Sequence, residues 1–350
     1  MKVYKTNEVK NIAIIGSSGT GKTTFAEAIL FESGLIKRRG TIDAKNTVSD
    51  YNPVEKEYEY SVFSTLLSIE WKDKKMNFID CPGSDDFVGG VISALNVSDM
   101  ALMLIDAPSG VEVGTMNQFR YTEKLNAPVV FVVNQLEHEK ADYENSLINL
   151  KEVFGNKVVP VQYPISSGTT FDAIIDVLKR KMYKWPPGAT APDVLEIPES
   201  EEARADEYYQ ALLEAAAEND EGLMEKYFDK GTLTEEEMRD GIQIGMINRD
   251  LFPVFCTSAE KNMAVHRVMN FLSVVAPSPN EMDAPLNTDI EEVKPDSEAP
   301  TSLFFFKTTI EPHIGEVSYF KVMSGTLKEG DDLMNVDRQS RERLGQIYSV

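Results

Sequence analysis

The sequence predicts a doubly wound α/β fold: a mostly parallel sheet covered by helices, interrupted by an acidic helical insert and followed by the start of an antiparallel β-barrel. Three observations predict it. From Asn11 to Phe154, short apolar runs alternate with stretches of helical period. The octapeptide GSSGTGKT at Gly16–Thr23 lies between a strand-like and a helix-like run. Between Asp193 and Asp240 the chain carries 17 acidic and 4 basic side chains, a composition unlike the rest.

The octapeptide justifies the first elements. It fits G-x-x-x-x-G-K-[ST], the phosphate-binding loop of P-loop NTPases, with Asn11–Ile15 as the strand before it and Thr24–Ser33 as the helix after it. Gly16, Ser17, Ser18, Gly19, Thr20 and Gly21 would wrap an anion with successive backbone N–H groups at the helix N-terminus. Lys22 would reach the β- and γ-phosphates, the Thr23 hydroxyl would hold Mg²⁺, and Thr24 would continue the wall of the site. This pattern means nucleoside triphosphate binding.

The remaining elements follow in order. Val62–Trp71 and Met76–Asp80 read as two strands around the polar turn Lys72–Lys75. Met100–Asp106 and Val129–Asn134 are continuous apolar runs, as strands buried on both faces must be. Val111–Leu125 and Tyr143–Phe154 read as helices. Residues 1–167 therefore make the first part of a nucleotide-binding domain, and 168–250 an acidic inserted subdomain. Within the insert, Glu202–Phe228 has helical spacing, and Thr234–Glu237 is a capping box that starts another helix. Residues 251–276 supply the last strand, Leu251–Phe255, and the helix Asn262–Val275. The stretch 277–300, with five prolines and seven acids, reads as a linker. Residues 301–350 switch to β rhythm with a turn at Ser324-Gly325. Some fifty residues is short for a closed barrel, so the chain is expected to be the N-terminal part of a longer protein.

Composition excludes several classes. The formal net charge of −22 argues against gripping DNA or RNA over broad surfaces. No apolar run is long enough to span a bilayer, and the polar N-terminus MKVYKTNEVK is not a signal peptide, so no membrane partner is expected. Cys81 and Cys256 lie far apart without metal-ligand spacing and read as free thiols of a reducing cytoplasm.

Further motifs sharpen the ligand. Asp80-Cys81-Pro82-Gly83 ends a strand and fits D-x-x-G, in which the Asp reaches Mg²⁺ and the Gly N–H faces the γ-phosphate. Asn134-Gln135-Leu136-Glu137 falls where a guanine-reading N-K-x-D would, with Asn134 to bond the base and Glu137 to accept its N–H groups. Thr257-Ser258-Ala259 follows the last strand and would bring the backbone of Ser258 and Ala259 to the guanine oxygen. Order and spacing together predict GTP and GDP as ligands.

With these motifs in place, the chain resembles elongation factor G, the translational GTPase of ribosomal translocation. NTVSDY…EKE at Asn46–Glu57 is similar to its first switch region and FIDCPGSDDF at Phe78–Phe87 to its second. The run Leu212–Glu237 is similar to its acidic insert. PVFCTSA at Pro253–Ala259 and FFFKTTIEPHIGEVSYFKVMSGTLKEGD match the end of its G domain and the start of its barrel domain. The resemblance implies a cytoplasmic, monomeric switch that binds the ribosome at its stalk protein and GTPase-associated region. Domains absent here would meet the tRNA-bearing ribosome. It also implies that Ser61 takes the place of a metal-binding Thr.

Departures from the family cluster at the chemistry. The His of D-T-P-G-H, which positions the attacking water, is Ser84, and none of the chain's histidines, His138, His266 and His313, is expected near the loops. Ser18 and Gly19 replace an apolar gate residue and an Asp, Tyr60 replaces the partner gate Ile, and Gln135 and Glu137 replace Lys and Asp of the base-reading motif. Binding groups are kept and cleavage groups are eroded, so slow GTP hydrolysis is expected unless Ser84 or Asp85 orients water in a shifted loop, or the ribosome supplies the missing group. Two other readings stay open: a ribosome-associated GTP-binding regulator, protection or recycling factor without translocase activity, and an ATP hydrolase permitted by the weakened base-reading motif.

Overall fold

The computed structural model describes residues 2–285, 292–311 and 314–348. Residues 286–291 of the expected linker, and His313, lie outside the described residues. In chain order the first six strands, all in the central sheet, are β1 (Val9–Ile15), β2 (Thr65–Trp71), β3 (Lys74–Asp80), β4 (Met100–Asp106), β5 (Val129–Asn134) and β6 (Val158–Pro160). Four further strands follow: β7 (Gln162–Pro164), β8 (Ala173–Asp176), β9 (Lys181–Lys184) and β10 (Asp193–Leu195). Next come β11 (Phe252–Cys256), β12 (Ser302–Glu311), β13 (Gly315–Ser324), β14 (Asp332–Asn335) and β15 (Ser340–Arg343). The helices are α1 (Lys22–Glu32), α2 (Pro53–Tyr58), α3 (Val88–Val97), α4 (Val113–Lys124), α5 (Tyr143–Phe154), α6 (Glu199–Ala217), α7 (Glu221–Lys230), α8 (Glu235–Ile247) and α9 (Val265–Val275).

The central sheet runs β2-β3-β1-β4-β5-β11-β6, parallel except for the β2–β3 hairpin. Its middle strands are apolar on both faces because helices cover both: β5 is wholly buried, and β4 is buried through Ile105. The hairpin turns at Lys72 and Asp73, both left-handed with φ of 47° and 61°, the primed-turn geometry that matches strand twist. The chain leaves β1 for β3 on one side and β4 on the other, so a crevice opens beyond the carboxyl end of β1.

Several elements differ from the sequence reading. The acidic insert is not only helical: its strands β8–β10 form an antiparallel sheet with β7, which precedes the insert's expected start, in strands of three or four residues too short for a periodicity signal. Its long helical stretch is two helices, because Asp220 caps a new helix by accepting the N–H of Leu223 at 2.9 Å. The last helix starts at Val265 rather than Asn262, since Asn262 and Ala264 are left-handed. The strand expected from Val62 begins at Thr65, because the N–H groups of Val62 and Phe63 go to the Glu55 carboxylate at 3.0 Å each.

The insert is tied to α9 through a largely buried pair in which Arg267 donates to Asp176 at 2.6 Å, with the guanidinium 4.4 Å from the Tyr183 ring. The β12–β13 hairpin meets the first sheet where Lys321 donates to Asp99 at 3.0 Å and Lys307 to the Ser64 carbonyl at 2.6 Å. Inside the insert, α8 crosses α6 so closely that a Cβ on Gly241 would lie 2.3 Å from the Ala216 carbonyl oxygen. Gly241→Ala is therefore expected to cost about 1–3 kcal/mol, read as a lower chemical-denaturation midpoint.

His266 packs near the Tyr183 and Trp185 rings, and burial, with Arg267 and Lys72 nearby, lowers its pKa to about 4 from the ordinary 6.5. The folded state thus holds the neutral ring, while the unfolded chain takes up a proton below the ordinary value. Stability from this site is complete above pH 6.5 and lost as pH falls toward 4. His266→Gln should flatten that acid limb by about 2 kcal/mol in melts between pH 7 and pH 4.5.

Candidate functional site

Four loops that leave the carboxyl ends of β1, β3, β5 and β11, together with the connection between α1 and β2, surround one cavity of about 540 Å³. A larger cleft, about 1990 Å³, opens between the β12–β13 hairpin and the β2 side of the sheet, away from the phosphate loop. The first loop is pinned from behind: the Gly16 N–H donates to Gln118 at 2.6 Å, and the Ser17 hydroxyl meets that of Thr115 at 3.2 Å. Thr20 hydrogen-bonds back to the Ser17 carbonyl at 3.1 Å. Lys22 Nζ donates to the carbonyls of Gly16 at 2.9 Å and Ser17 at 2.8 Å, which aligns it inside the loop. Burial lowers its pKa to about 8 against the attraction of Asp80. A cation kept in so poorly solvated a place gains strongly from an approaching phosphate.

Beside it the Thr23 hydroxyl donates to Asp80 at 3.0 Å and lies 3.1 Å from the Ser61 hydroxyl. Asp50 completes the group. Both its oxygens, and Asp80 Oδ1, are buried without a hydrogen-bond partner. Burial, then the charge of Asp50, pushes the Asp80 carboxyl up to about 7; burial also raises Asp50. Two carboxylates and two hydroxyls are a hard-oxygen set suited to Mg²⁺, with room left for phosphate oxygens and water. Among the described residues no three His, Cys, Asp or Glu side chains gather as a self-sufficient metal site, so a cation here would share its ligands with the nucleotide.

At the other end, Asn134 ties three loops. Its Nδ2 donates to the Thr20 carbonyl at 2.9 Å, while its Oδ1 accepts from Thr257 and from the Ala259 N–H at 3.0 Å each. One amide N–H of Asn134 is left for a base. Gln135, left-handed with φ 64°, reaches across the phosphate loop to the Gly19 carbonyl at 2.5 Å. Glu137 borders the cavity with Oε2 buried and unpartnered, a free acceptor. Ser258 is buried and accepts the Lys261 N–H at 3.1 Å, shaping the turn.

Ser18, Gly19, Gly21, Thr24, Gly83 and Ser84 also border the cavity. Gly83 admits no side chain, since a Cβ would lie 2.5 Å from Lys22 Nζ and 2.7 Å from the Ser18 backbone. The Ser84 oxygen accepts the Asp86 N–H at 3.3 Å, capping the turn Asp85–Phe87. Asp85 accepts from Asn117 at 2.7 Å, which turns its carboxylate toward α4. The Tyr60 ring stacks on Phe87 with centroids 6.0 Å apart, bridging the two switch segments. One expectation needs correction: His138 borders this same cavity despite its distance in sequence from the switch motifs, because β5 delivers it beside Glu137. His266 lies under the insert.

The sequence reading singled out no role for Asp50, Glu55 or Gln118. Asp50 sits inside the NTVSDY run with no spacing rule to mark it. Glu55 was legible as the end of the capping box Asn52–Glu55. Gln118 joins the first loop to the second, reaching the Gly83 carbonyl at 3.5 Å, through a contact 35 residues away in sequence that only folding creates.

This fold and this set of loops define a GTP-binding domain of the translation-factor class. Residues 7–278 match the Elongation factor Tu GTP binding domain, and residues 300–350 match Elongation factor G domain 2. The chain belongs to the elongation factor Tu-type GTP-binding family, among its elongation factor G-like members. It is 33% identical over 344 residues to the Elongation factor G-like protein of Thermotoga maritima, covering 97% of this chain and 49% of that protein. It is 34% identical to Elongation factor G of Salinibacter ruber, covering 98% and 50%. A crystal structure from Thermus thermophilus superposes with a TM-score of 0.85 at 30% identity, over 97% of this chain and 48% of that one. The chain thus spans about half the length of the curated relatives it matches. Among the described residues no helix is long and apolar enough to cross a membrane.

Asp50→Asn removes one of two buried, mutually repelling carboxylates, the one with no hydrogen-bond partner on either oxygen. It is expected to raise the melting temperature of the ligand-free protein at pH 8 by about 2–4 °C. The same change should shrink the further rise produced by adding Mg²⁺ with GTP, which differential scanning fluorimetry would measure.

Proposed function

We propose that this chain is the nucleotide-binding part of an elongation factor G-like protein that promotes ribosomal translocation, using GTP chiefly as a binding switch and cleaving it slowly. The observation that carries this reading is the contrast between the two ends of the second switch motif. Asp80 stands with Thr23, Ser61 and Asp50 in a donor set suited to a metal–triphosphate, while Ser84 offers only a capping hydroxyl where the family places an imidazole.

The residues divide the work. Backbone N–H groups of Ser18 to Thr23 and the Lys22 ammonium would hold the phosphates. Thr23, Ser61, Asp80 and Asp50 would hold Mg²⁺, which when bound would neutralise phosphate charge. Glu137 and the Asn134 amide, with the Ala259 loop, would read guanine, and the buried acceptor of Glu137 favours GTP over ATP. A γ-phosphate would draw Ser61 and Gly83 together, and the Tyr60–Phe87 stack would close with them, changing switch shape through contact energy. Rapid cleavage needs a base or a positioned water as well. Ser84 is a poor proton acceptor, and Asp85 is turned toward Asn117. The acidic helices α6–α8 would steer the encounter with a ribosomal stalk protein, with the 77%-exposed Phe228 as an apolar contact on that surface.

Single-turnover GTP cleavage by the full protein, with and without ribosomes, tests this reading. Tight Mg²⁺–GTP binding with near-background cleavage is expected, and Ser84→His should raise the rate about 10- to 100-fold. Ribosome-stimulated cleavage at the rate of an ordinary elongation factor G would overturn the slow-hydrolysis reading. Normal ribosome binding without tRNA movement would favour a regulator or protection factor over a translocase.

A further inference from the structure

The segment between α1 and β2 borders the cavity and does more than supply Asp50 and Ser61. At its start the Arg39 guanidinium donates from Nη1 to the Ala259 carbonyl at 2.6 Å and from Nη2 to the Glu260 carbonyl at 2.9 Å. These are consecutive carbonyls of the loop after β11, and Glu260 borders the nucleotide cavity. Among the described residues Arg39 forms no ion pair, although the chain holds 57 acidic side chains. The fork is directed at backbone, where its planar geometry fits two neighbouring acceptors.

Both ends of this contact are fixed. On the Arg39 side, the Gly40 N–H donates to the Glu27 carboxylate at 2.7 Å, and the Val48 N–H donates to its other oxygen. Glu27 is 1% exposed on α1, directly behind the phosphate loop, so Arg39 starts from a rigid base. On the loop side, the Ala259 N–H is bonded to Asn134 at 3.0 Å, and Asn262 reaches Glu32 at 2.5 Å. Arg39 therefore bridges the chain leading into the first switch run and the loop that would meet the base. Ile42, three residues on, borders the same cavity as Ser84 and Glu137.

We infer that Arg39 is a positioning residue that closes the switch segment onto the base-reading loop, so that guanine nucleotide leaves only when this strap lifts. The inference rests on the guanine-nucleotide reading above. It couples the two ends of the site: a phosphate or metal that orders the segment also holds Arg39 against Ala259, and a base that orders the loop presents the carbonyls Arg39 needs. Two charge-assisted bonds to carbonyls, the one to Ala259 partly buried and the one to Glu260 exposed, are together strong enough for their loss to alter residence time about tenfold.

The test is release of a fluorescent (mant) GDP, chased by unlabelled GDP in stopped flow, from the full protein and its R39A and R39K variants. The expected result is release about tenfold faster in R39A and intermediate in R39K, which keeps the charge but loses the fork. Association rates should stay within twofold and melting temperatures near the parent's. Release from R39A within twofold of the parent would overturn the inference. So would faster release that tracks a lowered melting temperature and is not partly restored in R39K, because that is the behaviour of a general staple. Failure of the parent itself to bind mant-GDP would overturn the guanine reading instead.

Discussion

The structure is organised around charge that has been taken out of water. Lys22, Asp80 and Asp50 are each less than 10% exposed, at the point where the apolar strands β1 and β3 end. Burial drives all three toward their neutral forms: the Lys22 pKa falls while those of Asp80 and Asp50 rise. Two buried carboxylates beside one ammonium are unfavourable on their own, and a cation with phosphate would relieve both strains at once. A sheet insulated by helices makes that relief large, because the local dielectric is low. The apolar parallel sheet and the polar crevice are thus two sides of one arrangement.

Loops that carry these charges must be held without being welded. Buried polar side chains from the helices do this. Glu27 on α1 takes the N–H groups of Gly40 and Val48, Glu55 on α2 takes those of Val62 and Phe63, and Gln118 on α4 links the phosphate loop to the second switch. Each is a side chain-to-backbone contact that a modest shift can exchange for water. Regular strand pairing in the same places would have frozen the segments, and a fully solvated loop would not place Ser61 within reach of Thr23.

The parts beyond the crevice attach through a few shielded polar contacts as well as packing. Arg267 with Asp176 joins the insert sheet to α9, and Lys321 with Asp99 joins the β12–β13 hairpin to the strand connection before β4. Tyr51, the residue after Asp50, bonds Glu311 on β12 at 2.7 Å. A shift of Asp50 therefore has a one-residue path to the hairpin, a physical link between the crevice and the second sheet system.

The sequence by itself determined the local chemistry: the phosphate-loop motif after β1, Asp80 at the end of a strand, the buried runs of β4 and β5, and a serine, Ser84, directly after the D-x-x-G motif. These are legible because motif, strand and helix signals are short-range, with periodicity and glycine placement acting within a dozen residues. The insert's small sheet was not legible, since three- and four-residue strands carry no period. Tertiary structure alone decided that Asp50 joins Thr23 and Asp80, that Gln118 braces two loops, that His138 enters the cavity, and that Arg39 reaches Ala259 from 220 residues away. Each of these depends on chain segments brought together by the strand order of the sheet, and a linear pattern holds no record of which loops that order will make neighbours.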